Sequence, residues 1–109
     1  MKNMGGMGDL GGIMKQAQRM QKDMARVQDD LKERIVEGTA GGGMVTALVN
    51  GQQEVVSMKI KPDAVDPEDV GLLEDLVAAA VNDGLKKAHD LAQAEIAKVT
   101  GGMNLPGMF

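Results

Sequence analysis

The chain has 109 residues, a formal net charge of −4, no cysteine and one aromatic residue, Phe109. That length suits a single domain, and the absence of cysteine excludes a disulfide framework or thiolate zinc site and fits a reducing cytoplasm. Without aromatic platforms, single-strand or RNA readers that stack bases on rings are disfavoured.

The core is left to Val, Leu, Ile, Ala and Met, with ten methionines available as core filler or as an adaptable binding surface. Charge is spread unevenly. Residues 1–35 hold seven Lys/Arg and five Asp/Glu, a balance of +2, whereas residues 36–109 hold five and eleven, a balance of −6. The N-terminal part is thus the cationic part of an acidic protein, and distribution decides more than net charge. No apolar run has the form of a signal peptide or the length of a membrane span, so a soluble cytoplasmic protein is expected.

Residues 1–9 are rich in Met and Gly and read as a flexible leader; residues 10–100 form the single domain. From residue 10 to 31, Leu10, Ile13, Ala17, Met20, Met24, Val27 and Leu31 recur in alternating steps of three and four. That is a heptad seam, and it predicts an amphipathic helix about 33 Å long. On the same helix Lys15, Arg19, Lys22 and Arg26 follow steps of four, three and four. At about 100° per residue they cluster roughly 160° from the centre of the seam. One face is free to pack while the other presents a line of cations, with Gln16, Gln18 and Gln21 beside it. Such a stripe suits duplex phosphates, which attract cations whatever the sequence. The plain alternative is a solvated helix face with intrahelical acid pairs. Lys32, Arg34, Lys86, Lys87 and Lys98 are secondary candidates, with Asp83 and Asp90 flanking the lysine pair.

Residues 35–60 read as three short strands. Val45, Ala47 and Val49 share one face of the second; Val56, Met58 and Ile60 share one face of the third. Turns are expected at Gly41-Gly42-Gly43 and at Asn50-Gly51, the latter as a type I′ hairpin with positive φ at both central positions. The three glycines are not a phosphate loop: Met44-Val45-Thr46 replaces the Gly-Lys-Ser/Thr that should lead into a helix. They read instead as a tight bend, or as a place where another backbone comes close.

Pro62 breaks the connector that follows. Asp66 resembles an N-cap with Pro67 at the first helical position, opening a second helix over residues 67–99. At about 50 Å it is far longer than the roughly 13 Å radius of gyration of a compact domain this size. It is therefore expected to break near Gly84 or to project. Residues 77–81 are apolar nearly all round, which places Val77 and Val81 at a partner interface. Together with the open strand edges this favours a homodimer. Gly101-Gly102 ends the helix, and residues 101–109 read as a flexible tail.

His89 is the only histidine and has no second ligand or nucleophile beside it. The acids from Asp63 to Asp75 do not follow an EF-hand spacing, and helix capping accounts for at least three of them. No enzyme, metal site or cofactor is expected.

The run Val36-Glu37-Gly38-Thr39-Ala40-Gly41-Gly42-Gly43-Met44-Val45, followed by Val49-Asn50-Gly51, resembles the central signature of the YbaB/EbfC family of bacterial nucleoid-associated proteins. The resemblance extends through Ile60 with Pro62-Asp63, through Leu72-Leu73-Glu74-Asp75-Leu76-Val77 into Ala78-Ala79-Ala80-Val81-Asn82-Asp83, and to Gly101-Gly102-Met103-Asn104-Leu105-Pro106-Gly107. Gly84 departs from the alanine expected there and is expected to loosen the helix.

The resemblance implies an α/β (α+β) protomer: an N-terminal helix, a three-stranded antiparallel sheet and a long C-terminal helix, paired into a dimer with projecting helices. It also implies double-stranded DNA binding in the nucleoid and a part in its organisation or in gene regulation. It lends regional support to Lys15, Arg19, Lys22 and Arg26 as DNA contacts. Gly41, Gly42 and Gly43 are assigned to the dimer scaffold. The competing function is a protein-interaction adaptor that uses the heptad helix and the Met-rich surface.

Overall fold

The structure, a computed structural model, describes residues 2–101, with side chains from residue 10 onward. The order is α1 (Lys2–Glu33), β1 (Ile35–Ala40), β2 (Val45–Asn50), β3 (Val55–Ile60), a short 3-10 turn (Pro62–Ala64) and α2 (Val70–Thr100). This is the α+β arrangement expected. α1 continues back to Lys2, through the segment set apart as a leader; the expected C-terminal tail lies outside the described residues, apart from Gly101.

The sheet is antiparallel in the order β1-β2-β3. β2 is central, and its alternation buries Val45, Ala47 and Val49 completely. α2 covers that face with Ala80, Gly84 and Ala88, spaced one per turn and all buried. Small residues let the helix lie unusually close. A Cβ on Gly38 of β1 would overlap the Ala80 carbonyl oxygen and the Gly84 backbone, and one on Gly84 would stand 2.6 Å from Val49 Cγ2. The expected break at Gly84 is therefore corrected: α2 runs unbroken through it, because Gly84 is a point of contact between helix and sheet.

Two boundaries also differ from expectation. Asp66 does not cap α2; its carboxylate accepts from the Glu68 N–H at 2.9 Å and holds a turn around Pro67. The helix starts three residues later, where Asp69 accepts from the Leu72 N–H at 3.2 Å. Its end is as expected: Gly101 takes the left-handed C-cap conformation, with φ 66°.

The β1–β2 turn needs its glycines, since φ is +63° at Gly41, +66° at Gly42 and +92° at Gly43. The β2–β3 connection is not a type I′ turn. Gln53, not Asn50 or Gly51, has positive φ. The Gln53 N–H donates to the Asn50 carbonyl at 3.0 Å, and the Asn50 N–H donates to the Glu54 carbonyl at 2.9 Å. Asn50 acts instead through its side chain: Oδ1 accepts from the N–H groups of Gln52 (2.9 Å) and Glu54 (3.1 Å), and Nδ2 donates to Glu54 Oε1 at 2.8 Å. Beyond the turn the β2–β3 register shifts between Leu48 and Val49, so that Val55 faces Val49 and Val56 is the extra residue of a bulge. Val56 therefore does not continue the regular alternation of Met58 and Ile60.

Gly51 is required because the turn presses on the end of α1. Its N–H donates to the Leu31 carbonyl at 2.8 Å, and a Cβ there would lie 2.6 Å from the same oxygen. Gln52 Nε2 donates to the Gln28 carbonyl at 2.8 Å. The hairpin thus grips two carbonyls near the end of α1: that of Gln28, and that of Leu31, which lies in the last turn and also accepts from the Arg34 N–H at 3.2 Å.

The helix that projects is α1, not α2. Leu31 is 1% exposed and packs at the base, and Met20, Met24 and Val27 are half-buried. Every described residue from Leu10 to Arg19 is exposed. The molecule measures 81 × 22 × 16 Å with a radius of gyration of 21.1 Å, against about 13 Å for a compact chain of this length.

Candidate nucleic-acid interface

The heptad seam orients α1. Its C-terminal half is covered by the body, and its N-terminal half continues as an arm on which Leu10 and Ile13 remain 56% and 61% exposed. Lys15, Arg19, Lys22 and Arg26 all lie on this helix and are all exposed. From Lys15 to Arg26 is eleven residue steps, about 16 Å along the axis at 1.5 Å per residue. Duplex DNA presents about one charge per 1.7 Å of axis, so phosphates outnumber the cations over that length.

Among the described residues no ion pair reaches Lys15, Arg19 or Lys22. Arg26 stands 3.7 Å from Asp23, on a side chain that is 72% exposed. A pair so loose and so wet contributes little and yields readily to a phosphate. The four candidates therefore form one accessible stripe.

The secondary candidates are dispersed and mostly engaged. Arg34 and Lys98 each lie 3.3 Å from the Glu95 carboxylate. Hydrogen bonding from Lys98, reinforced by Arg34, holds the Glu95 carboxyl below its ordinary range. Lys87 pairs with Asp83 at 3.1 Å and donates to the Glu37 carbonyl at 2.9 Å. The Asp83 carboxylate accepts from the Thr39 N–H at 3.0 Å; that bond first, then Lys87, lowers its pKa. Asp83 and Lys87 thus clamp α2 to the outer edge of β1. Their i, i+4 spacing is visible in the sequence, but their strand partner is not. Lys32 and Lys86 are exposed and unpaired among the described residues, yet lie outside the stripe.

The expected interface residues have uses within the chain. Val77 and Val81 are half-buried and pack against the core of their own protomer. A Cβ on Gly41 would stand 2.9 Å from Leu76 Cδ2, whereas Gly42 and Gly43 face open space. A cleft of about 360 Å³ lies between the β2–β3 turn and α2, lined by glutamines and His89, with no nucleophile or second titratable group.

Comparison with known proteins places the chain among relatives. A nucleoid-associated protein of Alkaliphilus metalliredigens is 52% identical over 106 residues, covering 97% of this chain and 93% of that protein. One of Bacillus thuringiensis is 53% identical over 103 residues, covering 94% of each. The crystal structure of an uncharacterized protein, HP0035, from Helicobacter pylori superposes with a TM-score of 0.70 at 27% identity, covering 84% of this chain and 94% of that one. Residues 7–103 match the model of a single family of DNA-binding, non-enzymatic proteins: the chain belongs to the YbaB/EbfC DNA-binding family.

Proposed function

We propose that the protein binds double-stranded DNA with low sequence specificity as a homodimer, through Lys15, Arg19, Lys22 and Arg26 on the α1 arms. In this role it organises the nucleoid and adjusts gene expression by occupying the duplex. The observation that carries the reading is the stripe itself: four exposed cations on one projecting helix, three of them without an ion pair among the described residues. Phosphate contacts position a protein without reading bases, which accounts for low specificity. The relatives named nucleoid-associated proteins support the same place of action. The exposed parts of Val77 and Val81, with the Gly41–Gly43 turn, remain candidate contacts of the dimer.

One specific feature favours the adaptor reading: the uncovered seam at Leu10 and Ile13, with exposed Met14 beside it, offers an apolar face to another helix. A gel-shift titration with unrelated duplexes at two salt concentrations separates the two functions. Comparable, salt-weakened binding to every duplex supports DNA binding; absence of binding at low salt refutes it. Light scattering tests assembly, with twice 11.5 kDa expected.

A further inference from the structure

We propose that the uncovered half of the α1 seam docks the α1 arm of a second copy of this chain, laid antiparallel, so that one dimer is joined to the next arm to arm and their cation stripes face two separate duplexes. The bridging of duplexes rests on the DNA binding proposed above; the arm contact does not.

The course of α2 shows what the seam accepts. The helix descends along β1 and then runs back along α1: Leu76 meets Gly41, Asp83 meets Thr39, Lys87 meets Glu37 and Glu95 meets Arg34. Near its end Ile96 and Thr100 are buried, while across from it on α1 Leu31 is buried and Val27 and Met24 are half-buried. α2 is therefore the antiparallel partner of the seam until it stops at Thr100, where Gly101 turns the chain aside. The heptad pattern does not stop there. It continues toward the tip through Ala17, Ile13 and Leu10, all exposed among the described residues. A heptad seam is the pattern of a helix that packs against another helix.

Three features select a second α1 as the occupant. The stripe is narrow, bordered by Gly11, Gly12 and Gln16, which fits a helix better than the broad apolar face a membrane-surface helix buries. Its flanks are uncharged: Gln16 and Gln21 are neutral and Met14 is apolar, so two cationic arms meet there without repulsion. Lys15, Arg19, Lys22 and Arg26 stand roughly 160° away, so pairing leaves every cation open. A second arm brings the same seam and the same neutral flanks. Laid parallel, it would set its own sheet and α2 at the level of the first body and on the same side. Laid antiparallel, it puts the bodies at opposite ends, continues the line of α2, and sets Leu10 of each copy against Ile13 of the other. Packed helices lie about 8–10 Å apart, so the two cation stripes face away from each other about 20 Å apart. The contact is only about two turns long in each arm, and it gains from the effective concentration of dimers already held on DNA.

Single-cysteine variants test the pairing, because the natural chain contains no cysteine. Ile13, Gln18 and Gln21 are all exposed, so their replacement leaves the fold intact. A short bismaleimide applied to the full chain at high concentration, with and without duplex, should link Ile13→Cys chains. Gln18→Cys, off the seam, should stay unlinked. Gln21→Cys should stay unlinked as well, since the antiparallel register sets its two copies about 28 Å apart along the axis, whereas a parallel one sets them side by side. By light scattering the linked Ile13→Cys species should hold twice as many chains as the unlinked protein. No linking of Ile13→Cys, or equal linking of Gln18→Cys, overturns the arm contact; linking of Gln21→Cys overturns its direction; a linked species no larger than the unlinked one places the contact inside a single dimer and overturns the joining of dimers. A bead-bound duplex then tests bridging. Leu10→Gln with Ile13→Gln should bind that duplex as the natural chain does, yet capture a second, labelled duplex about tenfold less or weaker still. Undiminished capture overturns bridging through the arms. A natural chain that does not bind the bead-bound duplex overturns the DNA reading instead, and the linking experiment still judges the arm contact.

Discussion

Replacing both Arg19 and Lys22 with Gln should change the salt dependence of DNA binding more diagnostically than its strength at any one condition. If all four cations engage in both protomers of a dimer, eight phosphates are contacted. The slope of log K against log salt is then about −7, at about −0.9 per contact. The double substitution removes four contacts and leaves a slope of about −3.6. Between 50 and 200 mM salt the natural protein should lose affinity about 20,000-fold and the variant only about 150-fold. Folding should be indifferent, because both side chains are exposed and unpaired among the described residues and Gln is a good helix former; a change within about 0.5 kcal/mol is expected. Fluorescence anisotropy of a labelled duplex over the salt series, with a circular-dichroism melt beside it, measures both quantities. A variant that keeps the natural slope and affinity would refute the stripe and turn attention to Lys86 and Lys32.

The two kinds of glycine should separate by cost. Gly38→Ala drives a methyl into the α2 backbone and is expected to cost about 3 kcal/mol, whereas Gly42→Ala faces open space at φ +66° and should cost about 1–2 kcal/mol; urea titration should rank them in that order. Asn50→Ala strips the β2–β3 turn of three hydrogen bonds and should destabilise by about 1–3 kcal/mol, with faster amide exchange at the base of α1 as the local sign. Asp83 has a lowered pKa in the folded state, so its stabilisation is complete above the ordinary carboxylate pKa and fades as pH falls through the lowered value. The melting difference between the natural chain and Asp83→Asn should accordingly be constant above about pH 5 and shrink below about pH 4; a difference that grows with acid would contradict the clamp.

Local chemistry and periodicity made much of this fold legible in the sequence. The heptad seam places a helix through residues 10–31, and β2 declares itself by alternating Val45, Ala47 and Val49. Other errors came from contacts distant in sequence. Gly84 looked like a helix breaker because its reason for being glycine lies 46 residues away, at Gly38. Asn50-Gly51 carries the composition of a two-residue hairpin, but Gly51 is needed for the approach of Leu31, and the positive φ moves to Gln53. Asp66 and Asp69 offer the same capping chemistry three residues apart; the turn took one and the helix the other. The cation stripe was legible because it is a property of one helix. Periodicity could not say which half of the seam the body would cover, and that is what makes α1 the arm.

The grip of the β2–β3 turn on the carbonyls of Gln28 and Leu31 gives that arm the mechanics of a cantilever with a fixed root. Arg26 stands about 8 Å from Leu31 along the axis and Lys15 about 24 Å, at 1.5 Å per residue. A tilt of 10° at the root therefore moves Arg26 by about 1 Å and Lys15 by about 4 Å. In the proposed complex the inner cation would keep a nearly constant bearing on the sheet, while the outer one would follow the phosphates as groove width varies. One rigid helix thus supplies both a fixed point and a compliant tip, and any load that a bound duplex placed on the tip would be delivered, through two hydrogen bonds, to the hairpin turn.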